Sequence, residues 1–357
     1  MKLLTVIAEM GSGGAEAVVA VLTHDALERG DTVALASSGG WRGDELARHG
    51  TRLVPLTLRG RDPRDIVASI RTLRTELRER RPDLVHVHNV KAAVVAQAAF
   101  LGLRRPPVLV TLHGIPARAY PVAARVLARS ADRLIVVSAD VQERIVRAGF
   151  PQHSVGVIEN AVAPLPRHDR ATARRRLSVA PDAQVAVCVA RLMPPKRHDL
   201  LIEAWRQTPP GAVLLLAGDG DRRADIAGAV QSAGLADRVH LLGERRDVDW
   251  LLAAADLCVL PTDSEGLPIS LLEAMGAGVA VVASAVGGLR SALKNGACLV
   301  PPGSAQALAD GINRVLADAE YRTSLAARGI TLVDTRFGLA RMLEAYLSSY
   351  RELLASR

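Results

Sequence analysis

Two glutamates, Glu265 and Glu273, stand with seven residues between them in the run LPTDSEGLPISLLEAMGAG, residues 260–278. Leu257–Leu260 reads as a strand and Pro261–Leu267 as a loop. A helix is expected to begin near Pro268, because proline is favoured at the first helical position. Glycine beside a helix start, here Gly266, lets a ligand approach the backbone. The free N–H groups and the positive dipole end there favour a phosphate. Glu265 falls in the loop and Glu273 about five residues into the helix, roughly 7 Å along its axis. A carboxylate on each side of a phosphate site can hydrogen-bond two different polyols. The plainer readings are a solvated loop charge for Glu265 and, for Glu273 among Leu271, Leu272, Ala274 and Met275, a carboxylate paired within the protein.

Arg191 ends an apolar run, and Lys196 follows five residues later in VARLMPPKRHDLLIEAW. Two cations at the carboxyl end of a parallel strand sit where ligands bind in such sheets. With a helix start they suit a diphosphate, which needs more than one positive partner. Taken alone they are equally well two surface charges. The first apolar run leads into Gly11-Ser12-Gly13-Gly14-Ala15-Glu16. A dinucleotide fingerprint would need glycine where Glu16 stands, and no phosphate-loop lysine follows. What remains is a glycine turn opening a helix, either a lip for a phosphate or acceptor or a tight structural turn. His113, in VTLHGIPAR, ends another apolar run and could hydrogen-bond a ligand hydroxyl, although a lone histidine is more often structural. His86, His88 and Asn89 form HVHN, a possible metal pair lacking a third ligand at a readable spacing. Asp247 and Asp249 form a D-x-D triplet; since it opens a helical pattern, helix capping is the expected role.

The elements that must hold these residues alternate. Apolar runs at Leu3–Ala8, Thr32–Ala36, Leu53–Leu56, Leu84–Val87, Val108–Leu112 and Leu134–Val137 are separated mostly by helical patterns. A second set follows at Val185–Val189, Val213–Ala217, Val239–Leu242, Leu257–Leu260, Val279–Ala283 and Ala297–Val300. Near-continuous apolar strands separated by helices indicate parallel sheets covered on both faces. The proline-containing stretch Glu159–Arg170 reads as a linker. The 357 residues accordingly suggest two doubly wound α/β domains with a cleft between them, and Phe337–Leu354 reads as a closing helix.

Composition narrows the function classes. The net charge of +8 and 49% apolar content exclude a disordered chain, and 3% aromatics disfavour nucleic-acid binding by base stacking. Cys188, Cys258 and Cys298 are odd in number and far apart, so neither a disulfide framework nor a structural zinc site is expected. No apolar window is long enough for a membrane span, and the N-terminus reads as a strand; a cytoplasmic protein is expected. Residues 1–165 hold 22 basic and 16 acidic residues, and the remainder 23 and 21. The excess includes Arg71, Arg74, Arg78, Arg80 and Arg81, which form either a solvated face or an attraction for an anionic acceptor or a membrane surface.

Together these residues resemble a family 4 glycosyltransferase of the GT-B fold. Its most specific motif is Ser264-Glu265-Gly266-Leu267-Pro268 through Glu273-Ala274-Met275, the E-x7-E of retaining transferases. Gly13-Gly14-Ala15-Glu16, Val189-Ala190-Arg191 with Lys196, Ala217-Gly218-Asp219-Gly220 and Val286-Gly287-Gly288 agree in order and spacing. The resemblance implies two Rossmann-like domains: an acceptor domain over 1–163, a nucleotide-sugar domain over 164–336, and a helix over 337–357 crossing back to the first. It implies that Arg191 and Lys196 neutralise the donor diphosphate, that backbone N–H groups at Gly266 and Leu267 cap it, and that Glu273 binds the ribose. Glu265 would bind the transferred sugar, and His113 would contact that sugar near the reacting carbon. Gly13 and Gly14 would lie by the donor phosphate and acceptor, and the nucleobase near Gly243–Val248, with Val248 lining it.

The activity implied is retaining transfer from a UDP- or GDP-type sugar to a hydroxyl of a small-molecule, polysaccharide or lipid-linked acceptor. It would need no cofactor or metal, and peripheral contact with the inner membrane face would run through the basic first domain. Alternatives are an epimerase or hydrolase of the same fold and a non-catalytic sugar-nucleotide binder; intact Glu265, Arg191 and Lys196 argue against the last. The chain departs from the family pattern at Asn160-Ala161-Val162-Ala163, at Leu289-Arg290-Ser291 after Gly287-Gly288, and at Lys196-Arg197, where Lys-Gly is usual.

Overall fold

A computed structural model describes residues 1–60 and 62–356. The chain forms two compact units, one of Met1–Asn160 with Ala340–Arg357 and the other of Ala161–Leu339. In the first unit β1 (Lys2–Val6), β2 (Thr32–Ser37), β3 (Arg52–Pro55), β4 (Leu84–Val87), β5 (Val108–Leu112), β6 (Arg133–Val136) and β7 (Val155–Val157) pair in the order β3-β2-β1-β4-β5-β6-β7. Every pairing in this sheet is parallel. β4 and β5 are buried along their whole length, as strands covered by helices on both faces must be. Their polar members, His86 and Thr111, therefore need internal partners.

The second unit holds β8 (Gln184–Val189), β9 (Ala212–Ala217), β10 (Val239–Gly243), β11 (Leu257–Leu260), β12 (Ala280–Ser284) and β13 (Cys298–Val300), ordered β10-β9-β8-β11-β12-β13. These pairings are parallel as well. Strand order reverses at β1/β4 in one sheet and at β8/β11 in the other. Ligands bind outside the carboxyl ends of the strands at such reversals. The loops leaving β8 and β11 carry Arg191 and Lys196, and Glu265.

The closing helix spans Leu339–Ala355, and from Ala340 it belongs to the first unit. Tyr346 and Tyr350, one turn apart, are both buried there. No helix among the described residues is long and apolar enough to cross a membrane.

Candidate functional site

In the second unit the loops leaving β8 and β11 are joined backbone to backbone. The Arg197 amide donates to the Pro261 carbonyl at 3.1 Å and the Asp263 amide to the Pro195 carbonyl at 3.1 Å, with Lys196 and Thr262 paired as an antiparallel bridge. This junction brings together residues 69 positions apart: the Lys196 ammonium donates to Glu265 Oε1. Their side chains are only 16% and 15% exposed, so the pair is largely removed from water. Thr262, 1% exposed, donates its hydroxyl to the same carboxylate oxygen at 3.1 Å and its amide to Ser284 Oγ at 3.0 Å. Sequence reasoning missed Thr262; its only signal is a polar residue directly after a buried strand.

Arg197 adds a side-chain tie. Its guanidinium donates through Nε to Asp199 at 3.1 Å, through Nη2 to Asp199 at 2.9 Å, and through Nη1 to Asp263 at 3.2 Å. These bonds raise the Arg197 pKa and hold the Asp199 carboxyl below its ordinary range. Arg191 leaves β8 exposed, and among the described residues no side-chain hydrogen bond or ion pair engages it. Beside it Gly218 adopts φ 147°, where a Cβ would collide with the Ala190 carbonyl. Only glycine lets the loop after β9 pass this close.

The helix after Glu265 runs Ile269–Gly276. It begins one residue later than expected: Pro268 is extended and stands at the cap, its carbonyl accepting from the Leu272 amide at 3.4 Å. Pro268 offers no side-chain acceptor to this end, so its first-turn N–H groups lack the usual cap. Gly266 and Leu267 are buried just before it, and Glu273 is half-buried among buried Leu271, Leu272, Ala274 and Met275.

Val248 begins the helix Val248–Ala254, after the loop 244–247 that leaves β10. The D-x-D triplet does not cap it, contrary to the sequence expectation. Asp247 instead accepts a two-pronged contact from Arg245, at 2.7 Å on each oxygen, and one from Arg176 at 3.3 Å. Asp249 meets His168 Nε2 at 2.5 Å, with that ring stacked on Trp250. Arg245 outcompetes the backbone because a guanidinium offers a forked donor to a carboxylate.

In the first unit Gly13 caps the helix Gly14–Glu28, and Glu16, 8% exposed, folds back against it. Trp41 Nε1 donates to Ser12 Oγ at 3.0 Å and Arg42 Nε to the Gly11 carbonyl at 3.0 Å, fixing the glycine turn. His113 follows β5 directly and its Nε2 lies 3.1 Å from His88 Nδ1. Burial lowers the His113 pKa to about 4, so the ring is neutral at physiological pH. His86 and His88 are likewise lowered, first by burial and then by neighbouring histidines. Asn89 accepts from the Ala92 amide at 2.7 Å and caps the next helix, so HVHN divides into a histidine pair and a cap. Among the described residues no three His, Cys, Asp or Glu side chains gather as a metal site.

Two family patterns cover most of the chain: "Glycosyltransferase Family 4" matches residues 12–164, and "Glycosyl transferases group 1" residues 169–331. A putative teichuronic acid biosynthesis glycosyltransferase of Bacillus subtilis is 28% identical over 318 residues, covering 84% of this chain and 78% of its own length. The 2-deoxystreptamine N-acetyl-D-glucosaminyltransferase of Streptomyces fradiae is 30% identical over 300 residues, 76% of this chain and 71% of the relative. The crystal structure of Anabaena HepE in complex with UDP-glucose superposes with a TM-score of 0.86 at 25% identity, covering both chains in full.

Proposed function

Because this chain belongs to the family 4 glycosyltransferases of the GT-B fold, we propose that it moves a sugar from a nucleoside diphosphate to an acceptor hydroxyl, with retention and without a metal. The observation that carries this reading is the Lys196–Glu265 pair at the strand-order reversal, beside a helix start that no side chain caps. Lys196 and Glu265 hold two opposite charges against each other. An arriving diphosphate gives Lys196 a stronger partner, with Arg191 and the first-turn amides as further donors. Glu265 is then released to accept the hydroxyls of the transferred sugar, still aimed by Thr262. Glu273 takes the ribose, and the loop ending at Val248 takes the base. The HepE complex with UDP-glucose supports a uridine donor.

The bond from the anomeric carbon to the phosphate oxygen breaks first, its electron pair passing to the diphosphate. Fixed cations and helix amides stabilise that charge without reorganising. The acceptor hydroxyl attacks the oxocarbenium-like carbon from the face the phosphate leaves. Its proton passes to the departing phosphate oxygen, so configuration is kept and no separate base is needed. In the first unit His113 serves the sugar, Gly13 and Gly14 the phosphate and acceptor. That unit's cation surplus suits an anionic or lipid-phosphate acceptor and peripheral contact with a membrane.

The test is transfer from UDP- and GDP-sugars. Lys196→Ala and Glu265→Gln should each lose about a hundredfold in turnover, with melting transitions intact, product of retained configuration by NMR, and wild-type rates unchanged in EDTA. Wild-type turnover in both variants, an inverted product or strict manganese dependence would overturn the mechanism.

A further inference from the structure

His113 does not stand alone in the first unit. It ends a column that begins on the closing helix. Tyr350 Oη lies 2.7 Å from His86 Nδ1, and Thr111 Oγ1 lies 2.8 Å from His86 Nε2, with Tyr346 Oη 3.3 Å from the same threonine hydroxyl. Both His86 nitrogens are thus engaged and the ring cannot turn. His88, 2% exposed, packs on it with centroids 3.9 Å apart, and its own Nδ1 meets His113 Nε2. The His88 and His113 rings are nearly parallel, at 18°.

We propose that His88 is a positioning residue for His113: its Nδ1–H donates to His113 Nε2 and thereby holds His113 as the Nδ1–H tautomer, a hydrogen-bond donor aimed by a rigid column. This rests on the reading that His113 serves the donor sugar. Both rings are neutral, so one proton lies between them. Among the described residues His88 Nε2 and His113 Nδ1 have no partner, and one of the two must carry the remaining proton. A buried N–H left without an acceptor is costly. Both nitrogens are buried, but His113 is the partly exposed residue of the two and His88 the enclosed one, so the proton belongs on His113 Nδ1, the one of the pair that a bound substrate oxygen can satisfy. A ring's tautomer is set by the bond its other nitrogen makes.

Three variants test this: His88→Phe keeps the ring and loses the bond, His88→Asn keeps a donor near the Nδ1 position, and His113→Ala removes the target. In His88→Phe, 15N shifts should show His113 moving toward the Nε2–H tautomer, and kcat should fall about tenfold with donor KM within about twofold. His88→Asn should keep the Nδ1–H tautomer and recover kcat to within about threefold. The double variant His88→Phe/His113→Ala should be no slower than His113→Ala, since one residue acts through the other. An unchanged tautomer in His88→Phe, wild-type kcat in His88→Phe beside an impaired His113→Ala, or losses that multiply in the double variant would overturn this inference alone. Wild-type turnover in His113→Ala would overturn the role of His113 and this inference with it.

Discussion

Four histidines are held neutral by burial, and three of them, His86, His88 and His113, share the first unit, with His198 in the second. Unfolded, each would bind a proton near pH 6.5; folded, His113 and His198 do so only near pH 4. The unfolded chain therefore holds more protons between those values, and stability must fall as pH drops through that window. A tenfold difference in proton affinity is worth about 1.4 kcal/mol, and at pH 5 about a thirtyfold difference has opened. His113 and His198 then each cost roughly 2 kcal/mol relative to pH 7.5. That falls once on each unit, and in the first unit His86 and His88, lowered in the same direction by burial and by their histidine neighbours, add to the loss. Asp199 and Asp247, whose carboxyls are lowered by arginine partners, lose their contribution only below their unfolded value of 3.8, outside this range.

Hydrogen exchange on the native protein resolves the two units where a single melting curve would merge them. Opening free energies for β4 and β5 amides, corrected for intrinsic rates, should drop between pH 7.5 and pH 5 by more than those for β8 and β11. Equal losses in the two units, or no loss above pH 5, would refute the claim that the histidine column is neutral and buried.

Other perturbations probe single contacts. Arg197→Gly, which restores the residue usual in the family, removes ties to Asp199 and Asp263 whose carboxylates are 40% and 50% exposed. It should cost no more than about 1 kcal/mol in a urea titration, while raising donor KM more than it lowers kcat. Arg174 is 4% exposed and bonds Asp256 at 3.0 Å and the Ala254 carbonyl at 3.3 Å. Arg174→Ala should destabilise the second unit by about 3–5 kcal/mol by leaving Asp256 partly uncompensated, read as a lowered transition in calorimetry. Thr262→Val should keep the fold yet slow transfer about tenfold, since it removes the bond that aims Glu265; an unchanged kcat would show that Lys196 alone sets the carboxylate.

How far the sequence reaches follows from how local each determinant is. Strands such as Leu84–Val87, Val108–Leu112 and Leu257–Leu260 were legible because both of their faces are buried and each is a continuous apolar run. β7 escaped because it has three residues, one of them Gly156, and an exposed Val157 at the sheet edge. The loop, the glycine and the helix start near Glu265 were legible because they are consecutive in the chain.

What could not be read is anything that depends on two loops meeting. Nothing local says that Thr262 pairs with Lys196, that Asp247 also meets Arg176, or that Tyr350 reaches His86. Of the departures from the family pattern, the one at Arg197 belongs to this class. Leu289, standing where a glutamate is common, is fully buried in the second unit, and Arg290 bonds the Ala285 carbonyl of its own turn at 3.3 Å. Arg197, standing where glycine is usual, ties the Lys196 segment to Asp263 in the Glu265 loop. A residue that looked like a fault in the motif thus supplies a side-chain link between the loops that carry Lys196 and Glu265. If it does, the loss in Arg197→Gly should appear in donor binding and leave the Lys196–Glu265 contact intact, because the backbone bonds at Pro195, Pro261 and Thr262 hold that contact without it.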